Sequence, residues 1–281
     1  MYPLEWVVEQ EGVSLLSFLK EKIQLDLSKK AIKRAIDRGE CKVNGWIERF
    51  SSIRLQRGDR VAIENLFIKE EQSVPSLLFE DDDFLILNKP KGLVCDQEKV
   101  QVFLRKEVIL THRLDKDTTG ILVTAKNQQA KKKAEDGFRT REVEKKYLAV
   151  VDGKVRWKSE VCEGLLEKKK QFQGQTIWGT GQSGVFAKTH VTCLDAKEQA
   201  SLLLCQPVTG RTHQIRVHVK ELGHPILGDF QYAKRFRCSL HPSRMLLHAF
   251  AIRLPFAPFQ IQAEPPEDFQ EGIETLGLSF R

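Results

Sequence analysis

"THRLDKDTTGILVTAKN", residues 111–127, decides how the chain is read. Its first half is crowded with charge and hydroxyls: His112, Arg113, Asp115, Lys116, Asp117, Thr118 and Thr119. Its second half opens into an apolar, β-prone run that reads as a buried strand. Polar side chains at the end of a rigid strand face a cleft more naturally than a core, so this lip is a candidate site. An aspartate before a turn is, by itself, usually a turn former. The choice between turn and site therefore rests on the remaining segments.

The chain has 281 residues, 41% of them hydrophobic, enough for one large core or a large domain and a small one. No apolar run approaches the roughly 18–20 residues a membrane span needs. The start, "MYPLEWVVEQEG", carries acid where a secretion signal carries base, so a cytoplasmic, reduced setting is expected. The six cysteines are scattered without a C-x-x-C pair, which argues against a disulfide scaffold or a zinc cage. The net charge of +7 suits a polyanionic partner.

Residues 12–66 read as a small unit. Ser14 can cap a helix through Leu15, Leu16, Phe18, Leu19 and Ile23. A second helix follows Ser28, with Leu27, Ala31, Ile32, Ala35 and Ile36 on one face and Lys29, Lys30, Lys33, Arg34 and Arg38 on the other. Gly39 ends it, "CKVNGW" reads as a strand entering an Asn-Gly turn, and "RGDRVAIE" leads into a last strand. A basic helix face is usually only solvated. Taken in this order, however, the elements resemble the S-four-type RNA-binding module. That resemblance implies that the basic helix lies along an RNA backbone, where phosphate contacts hold and orient without reading sequence.

Residues 67–76, "FIKEEQSVPS", read as a polar linker, and 77–281 as a strand-rich second domain. "FLILNKPKG", "ILVTA" and "KYLAVVDG" are strand-like, and residues 126–146 hold a surface helix. "SLLLCQPVTGRTHQIRVHVKELG" reads as two strands around a Thr-Gly turn, then a short helix. The acidic, proline-broken C-terminal stretch reads as a loop into a terminal helix.

Four segments carry polar residues at strand ends or turns: "NKPKGLVCD" (88–96), "THRLDKDTTGILV", "EKKYLAVVDG" (144–153) and "PVTGRTHQIRVHVKELGHPILGD" (207–229). In this order and spacing they resemble the RluA-type pseudouridine synthase family over roughly residues 78–255, with "RMLLHAFAIRLPF" as its last strand. The resemblance implies an α+β catalytic domain with a curved, mixed, mostly antiparallel sheet and a central cleft. Its reaction breaks the C1′–N1 bond of a uridine, rotates the base and rejoins it through C5. That isomerisation is redox-neutral, so no cofactor and no metal is expected.

By the same resemblance Asp115 is the catalytic carboxylate and Arg216 the cation paired with it. A carboxylate in a partly dry cleft drifts towards its neutral form unless a cation holds it ionised. Tyr147 stacks on the target base, and its hydroxyl is a candidate acceptor for the C5 proton. Arg113 fills space left by the flipped nucleotide, since a uridine in folded RNA must leave its stack to be attacked. His112, Thr118 and Arg211 fall on the substrate side, and Lys89 with Pro90 shapes the pocket edge. Thr119 stands where the family usually has Ser, and the stretch from "KPKG" to "HRLD" is shorter than usual.

The expected partner is structured RNA, ribosomal rather than transfer RNA, and the expected state is a monomer. Two rivals stay open. One is a non-catalytic RNA-binding assembly factor that has kept the fold. The other is a glycoside hydrolase using Asp115 and Asp117, two residues apart. His112, His213 and His218 lack the carboxylate set a metal site would need.

Overall fold

The computed structural model describes residues 4–23, 27–37, 39–63, 76–172, 175–233, 235–257 and 259–280. The chain divides into two compact units, a smaller one built mainly from the first 72 residues and a larger one from most of the remainder.

In the smaller unit an edge strand β1 (Leu4–Val7) precedes α1 (Leu15–Lys22) and α2 (Lys29–Asp37), followed by β2 (Cys41–Val43), β3 (Trp46–Glu48) and β4 (Arg60–Ile63). The strands form one sheet in the order β1-β4-β2-β3. Ser14 caps α1 by accepting the Ser17 N–H at 3.2 Å, which satisfies one of the donors a helix start leaves free. Ser28 accepts the Ala31 N–H at 3.2 Å ahead of α2. Leu15, Phe18, Leu19, Ile23, Ile32, Ala35 and Ile36 are buried together against Val61 and Ile63. Asn44 and Gly45 both take positive φ, 52° and 81°, which suits the tight turn between β2 and β3. Strand β1 lies before residue 12, where the sequence reading starts this unit; four residues at a sheet edge carry too little alternation to be read. Residues 64–66, and all of the expected linker but Ser76, lie outside the described residues.

The larger unit contains β5 (Ser76–Glu80), β6 (Phe84–Lys89), α3 (Gln97–Leu104), β7 (Ile109–Leu110), β8 (Thr119–Ala125), α4 (Gln128–Thr140), β9 (Glu144–Asp152), β10 (Ser159–Phe172), β11 (Gln175–Gly181), β12 (Val185–Ala196), β13 (Ala200–Pro207), α5 (Gln214–Glu221), β14 (Leu247–Arg253), β15 (Gln260–Gln262) and α6 (Glu267–Thr275). The described strands form one sheet in the order β11-β10-β12-β13-β9-β14-β8-β6-β5, with β15 beside β14 and β7 beside β8. From β10 through to β5 the pairing is antiparallel except between β14 and β8.

That parallel pair sits at the middle of the sheet and depends on Gly120. Its φ is +106°, and a Cβ there would lie 2.2 Å from the Ala249 carbonyl oxygen across the pair. Only glycine permits so close a backbone approach. Beside it the Thr119 hydroxyl meets His248 Nδ1 at 2.9 Å, and His248 Nε2 meets the Ala263 carbonyl at 2.8 Å. The buried hydroxyl and imidazole thereby satisfy each other.

One expected element is absent from the described residues: no second strand follows the Thr-Gly turn. After β13 the chain turns and enters α5 directly. Helix α5 is buried along Gln214–Val219 and packs on β12 and β13. The surface helix appears as α4, capped by Asn127, and the terminal helix as α6.

Candidate active site

Asp115 sits on the turn before β8, and each carbonyl of that turn is held. The Thr118 N–H donates to the Asp115 carbonyl at 3.1 Å. Lys89 Nζ donates to the Lys116 carbonyl at 3.0 Å, and Arg244 Nη1 to the Asp117 carbonyl at 3.3 Å. Satisfied backbone groups fix a turn that its own sequence leaves free.

Lys89 is fully buried, and its other two donors go to the carbonyls of Pro90 and Leu93, both at 2.9 Å. Burial lowers its pKa to about 8, with Cys95 and Asp117 opposing. It ties the "NKPKG" turn to the Asp115 turn and does not line the cleft, so the structure does not place it as a substrate contact. Arg244, also buried, grips Asp268 of α6 through Nε and Nη2, both at 2.8 Å, while reaching the Asp117 carbonyl. Burial works against the Asp268 carboxylate, but the hydrogen bonds and charge of Arg244 lower its pKa.

His112 is likewise turned away from the cleft. Its Nε2 accepts the Val123 N–H at 2.9 Å, Thr111 Oγ1 donates to the Val123 carbonyl at 2.8 Å, and its ring lies against Phe138. The two side chains replace a strand's ladder beside β8. Burial first, then the nearby Lys145 charge, pushes the imidazole down to about 3, which leaves it neutral.

The cleft itself is lined by Arg113, Asp115, Thr118, Tyr147, Arg211 and Arg216, with Lys145 and His213 among the others. These residues come from three places: the 111–118 turn, β9, and the 207–216 turn entering α5. Gln214 secures the last of these. Its Oε1 accepts the Thr209 hydroxyl at 2.6 Å and the Arg211 N–H at 3.0 Å, while its Nε2 donates to the Lys188 carbonyl and Thr189 Oγ1.

Arg216 Nη1 donates to Asp115 Oδ2 at 3.1 Å. The rest of the guanidinium is committed elsewhere: Nε and Nη2 each meet a carboxylate oxygen of Asp229 at 2.7 Å, and Nη2 also meets Gln231 Oε1 at 2.6 Å. The ring of Tyr232 lies under it at 4.8 Å. Burial opposes the charge, but Asp229 and then Asp115 raise the pKa, so the cation is fixed. Tyr147 faces the same cleft from β9, and burial, then the Asp115 and Cys95 charges, raises its pKa. Lys145 donates to the Thr209 carbonyl at 3.3 Å, with burial lowering its pKa to about 8.

Asp117 is exposed and outside the cleft lining, so Asp115 is the carboxylate that faces the cleft. Among the described residues no cluster of His, Cys, Asp and Glu could hold a metal, and no helix is long and apolar enough to cross a membrane. On the smaller unit, Lys29, Lys33 and Arg34 are exposed along α2. Arg38 and the Lys30 side chain lie outside the described residues. Sequence reading missed Lys145, His213, Asp229, Gln231 and Tyr232 as members of the site. Only "GHPILGD", an acid just after a glycine turn, offered a signal for one of them.

A strand-end carboxylate clamped by a buried arginine, beside a tyrosine and under a mixed sheet, defines a class. The chain belongs to the RNA pseudouridylate synthase family, whose family model matches residues 83–221. Its RluA-type character follows from relatives each named ribosomal large subunit pseudouridine synthase C. The Haemophilus influenzae protein is 34% identical over 274 residues, covering 87% of this chain and 84% of the relative. The Escherichia coli (strain K12) protein is 32% identical over 301 residues, covering 95% and 92%. Among solved structures, human RNA pseudouridylate synthase domain containing 4 aligns with a TM-score of 0.63 at 25% identity, covering 73% of this chain and 94% of that one. Human RNA pseudouridylate synthase domain containing 1 aligns at 0.62 and 29%, covering 74% and 90%.

Proposed function

We propose that this RNA pseudouridine synthase isomerises uridine to pseudouridine in large-subunit ribosomal RNA, with Asp115 as the catalytic carboxylate. The observation that carries the assignment is the ion pair of Asp115 with Arg216 at 3.1 Å in the cleft that Tyr147 faces. The paired cation keeps the carboxylate charged in a partly dry site, ready to meet the sugar–base junction of a flipped uridine. Arg113, Thr118 and Arg211 line the route in, and the exposed guanidinium of Arg113 suits a phosphate or an unstacked base. The smaller unit binds RNA through Lys29, Lys33 and Arg34, whose charge grips backbone phosphates. The reaction needs no redox partner.

Asp115→Asn tests the reading. It keeps the side chain's shape and removes its charge, so turnover should vanish while RNA affinity stays within about threefold, because only the chemical step is lost. Pseudouridine detected in ribosomal RNA treated with Asp115→Asn at near wild-type rate would sink it.

A further inference from the structure

The carboxylate of Asp115 is approached from one side. Arg216 Nη1 at 3.1 Å and His213 Nε2 at 3.8 Å both lie against Oδ2. Among the described residues no group is hydrogen-bonded to Oδ1.

His213 has a polar contact at each ring nitrogen. It has φ +57° just ahead of α5, a conformation uncommon outside glycine. Its Nδ1 lies 2.8 Å from the Tyr232 hydroxyl, and that hydroxyl already accepts the Trp178 N–H of β11 at 3.1 Å. Among the described residues Nδ1 is the acceptor that meets the phenolic hydrogen. A neutral imidazole carries one N–H, and with Nδ1 accepting, that hydrogen sits on Nε2, the atom beside Asp115. Burial first, then the Arg216 charge, lowers the ring's pKa to about 4, which keeps it neutral near pH 7. Gln231 ties the other partner to the same strand: its Nε2 donates to the Thr176 carbonyl while its Oε1 accepts Arg216 Nη2. Strand β11 thus orients both groups that face Oδ2.

We infer that His213 is a positioning residue, whose Nε2–H and the Arg216 guanidinium share Oδ2 and leave Oδ1 as the oxygen turned to the substrate. This rests on Asp115 being the catalytic carboxylate. At 3.8 Å the contact is a dipole facing a charge and not yet a hydrogen bond. Contacts of this kind in a free enzyme tighten when substrate binds. A neutral donor suits the task, because it orients the carboxylate without adding a second full charge that would blunt its reactivity.

His213→Gln and His213→Leu separate this role from packing. Both place an L side chain at the same strained backbone position, but only glutamine can put an N–H near the place of Nε2. With a large-subunit ribosomal RNA transcript labelled with tritium at uridine C5, leucine is expected to slow single-turnover release about ten- to a hundredfold, the value of a hydrogen bond to a charged group. Glutamine should recover most of that rate, and the Kd for the transcript should stay within about threefold of wild type in both, since the oxygen's orientation matters to chemistry and not to binding. Equal rates for the two variants, whether fast or slow, overturn the inference. If Asp115→Asn run alongside retains turnover, the Asp115 reading fails and this inference with it; if it is inactive and leucine matches glutamine, the inference alone fails. Nitrogen-15 NMR of wild-type protein gives a second arm that needs no variant to fold. The His213 ring hydrogen is expected on Nε2 at neutral pH, and finding it on Nδ1 overturns the assignment.

Discussion

Arg216 and Asp229, thirteen residues apart, meet in a two-pronged ion pair with both contacts at 2.7 Å. Asp229 is almost wholly buried, with 2% of its side chain exposed, so this pair orients the guanidinium and leaves Nη1 for Asp115. Arg216→Met should therefore do two things: end turnover and destabilise the fold by about 3–5 kcal/mol, the cost of stranding a buried carboxylate. Adding Asp229→Leu should restore most of the stability, read by urea denaturation, without restoring turnover. An active double variant would show that the cation serves only the fold.

Tyr147 separates stacking from proton transfer. If its hydroxyl takes the C5 proton as phenolate, Tyr147→Phe binds RNA normally but fails to release tritium from C5-labelled uridine. Because burial raises the tyrosine's pKa, the phenolate is scarce at neutral pH and increases about tenfold per pH unit. The wild-type rate should therefore climb with pH where the phenylalanine variant's stays flat. Phenylalanine turning over at wild-type speed would leave only stacking, and then alanine alone should fail, by about 1–3 kcal/mol.

On the smaller unit, replacing Lys29, Lys33 and Arg34 together by alanine should weaken RNA binding and flatten its salt dependence. Each phosphate that the protein no longer neutralises makes the log–log slope shallower by about one unit. Turnover at saturating RNA should hold, since none of the three residues lines the cleft. An unchanged slope would remove α2 from the RNA-binding surface.

Acid stability should report on His112. Its folded pKa of about 3 lies below the ordinary 6.5, so its contribution to stability is present above 6.5 and is lost as pH falls towards 3. One proton taken up on unfolding gives a slope of about 1.4 kcal/mol per pH unit. His112→Gln should make the fall of unfolding free energy between roughly pH 6 and 5 shallower by that amount. His213, His218 and His248, all lowered to about 4, keep the rest of the acid limb. An unchanged limb would mean that His112 is already protonated in the fold.

The charged lip before β8 was legible because polar residues interrupt an apolar strand pattern at its end. The start of helix α5 was not, and a strand was expected in its place ahead of the short helix. "QIRVHVK" alternates apolar and polar residues with period two, the signature of a strand, and the fold overrides it. Gln214 through Val219 are all buried, and the polar ones are tied down by Thr209, Asp229 and Thr189. A helix whose first six residues are all buried has no solvent face there to impose a 3.6-residue period. His112 misled for a related reason: a histidine within a charged motif looks available, yet its ring completes the backbone pairing of Val123. Asp229, Gln231 and Tyr232 act on residues distant in sequence, and nothing local marks such partnerships.

The position of β14 has a consequence for how the enzyme comes into being. This strand, Leu247–Arg253, lies between β9 and β8 and is made after both. Before it emerges, the turn with Asp115 belongs to one half-sheet and Tyr147 to another, and no strand joins the two. Chains are synthesised from the N-terminus, and contacts this distant in sequence form late. The growing chain is thus expected to show no turnover until a closing strand slides between the two halves.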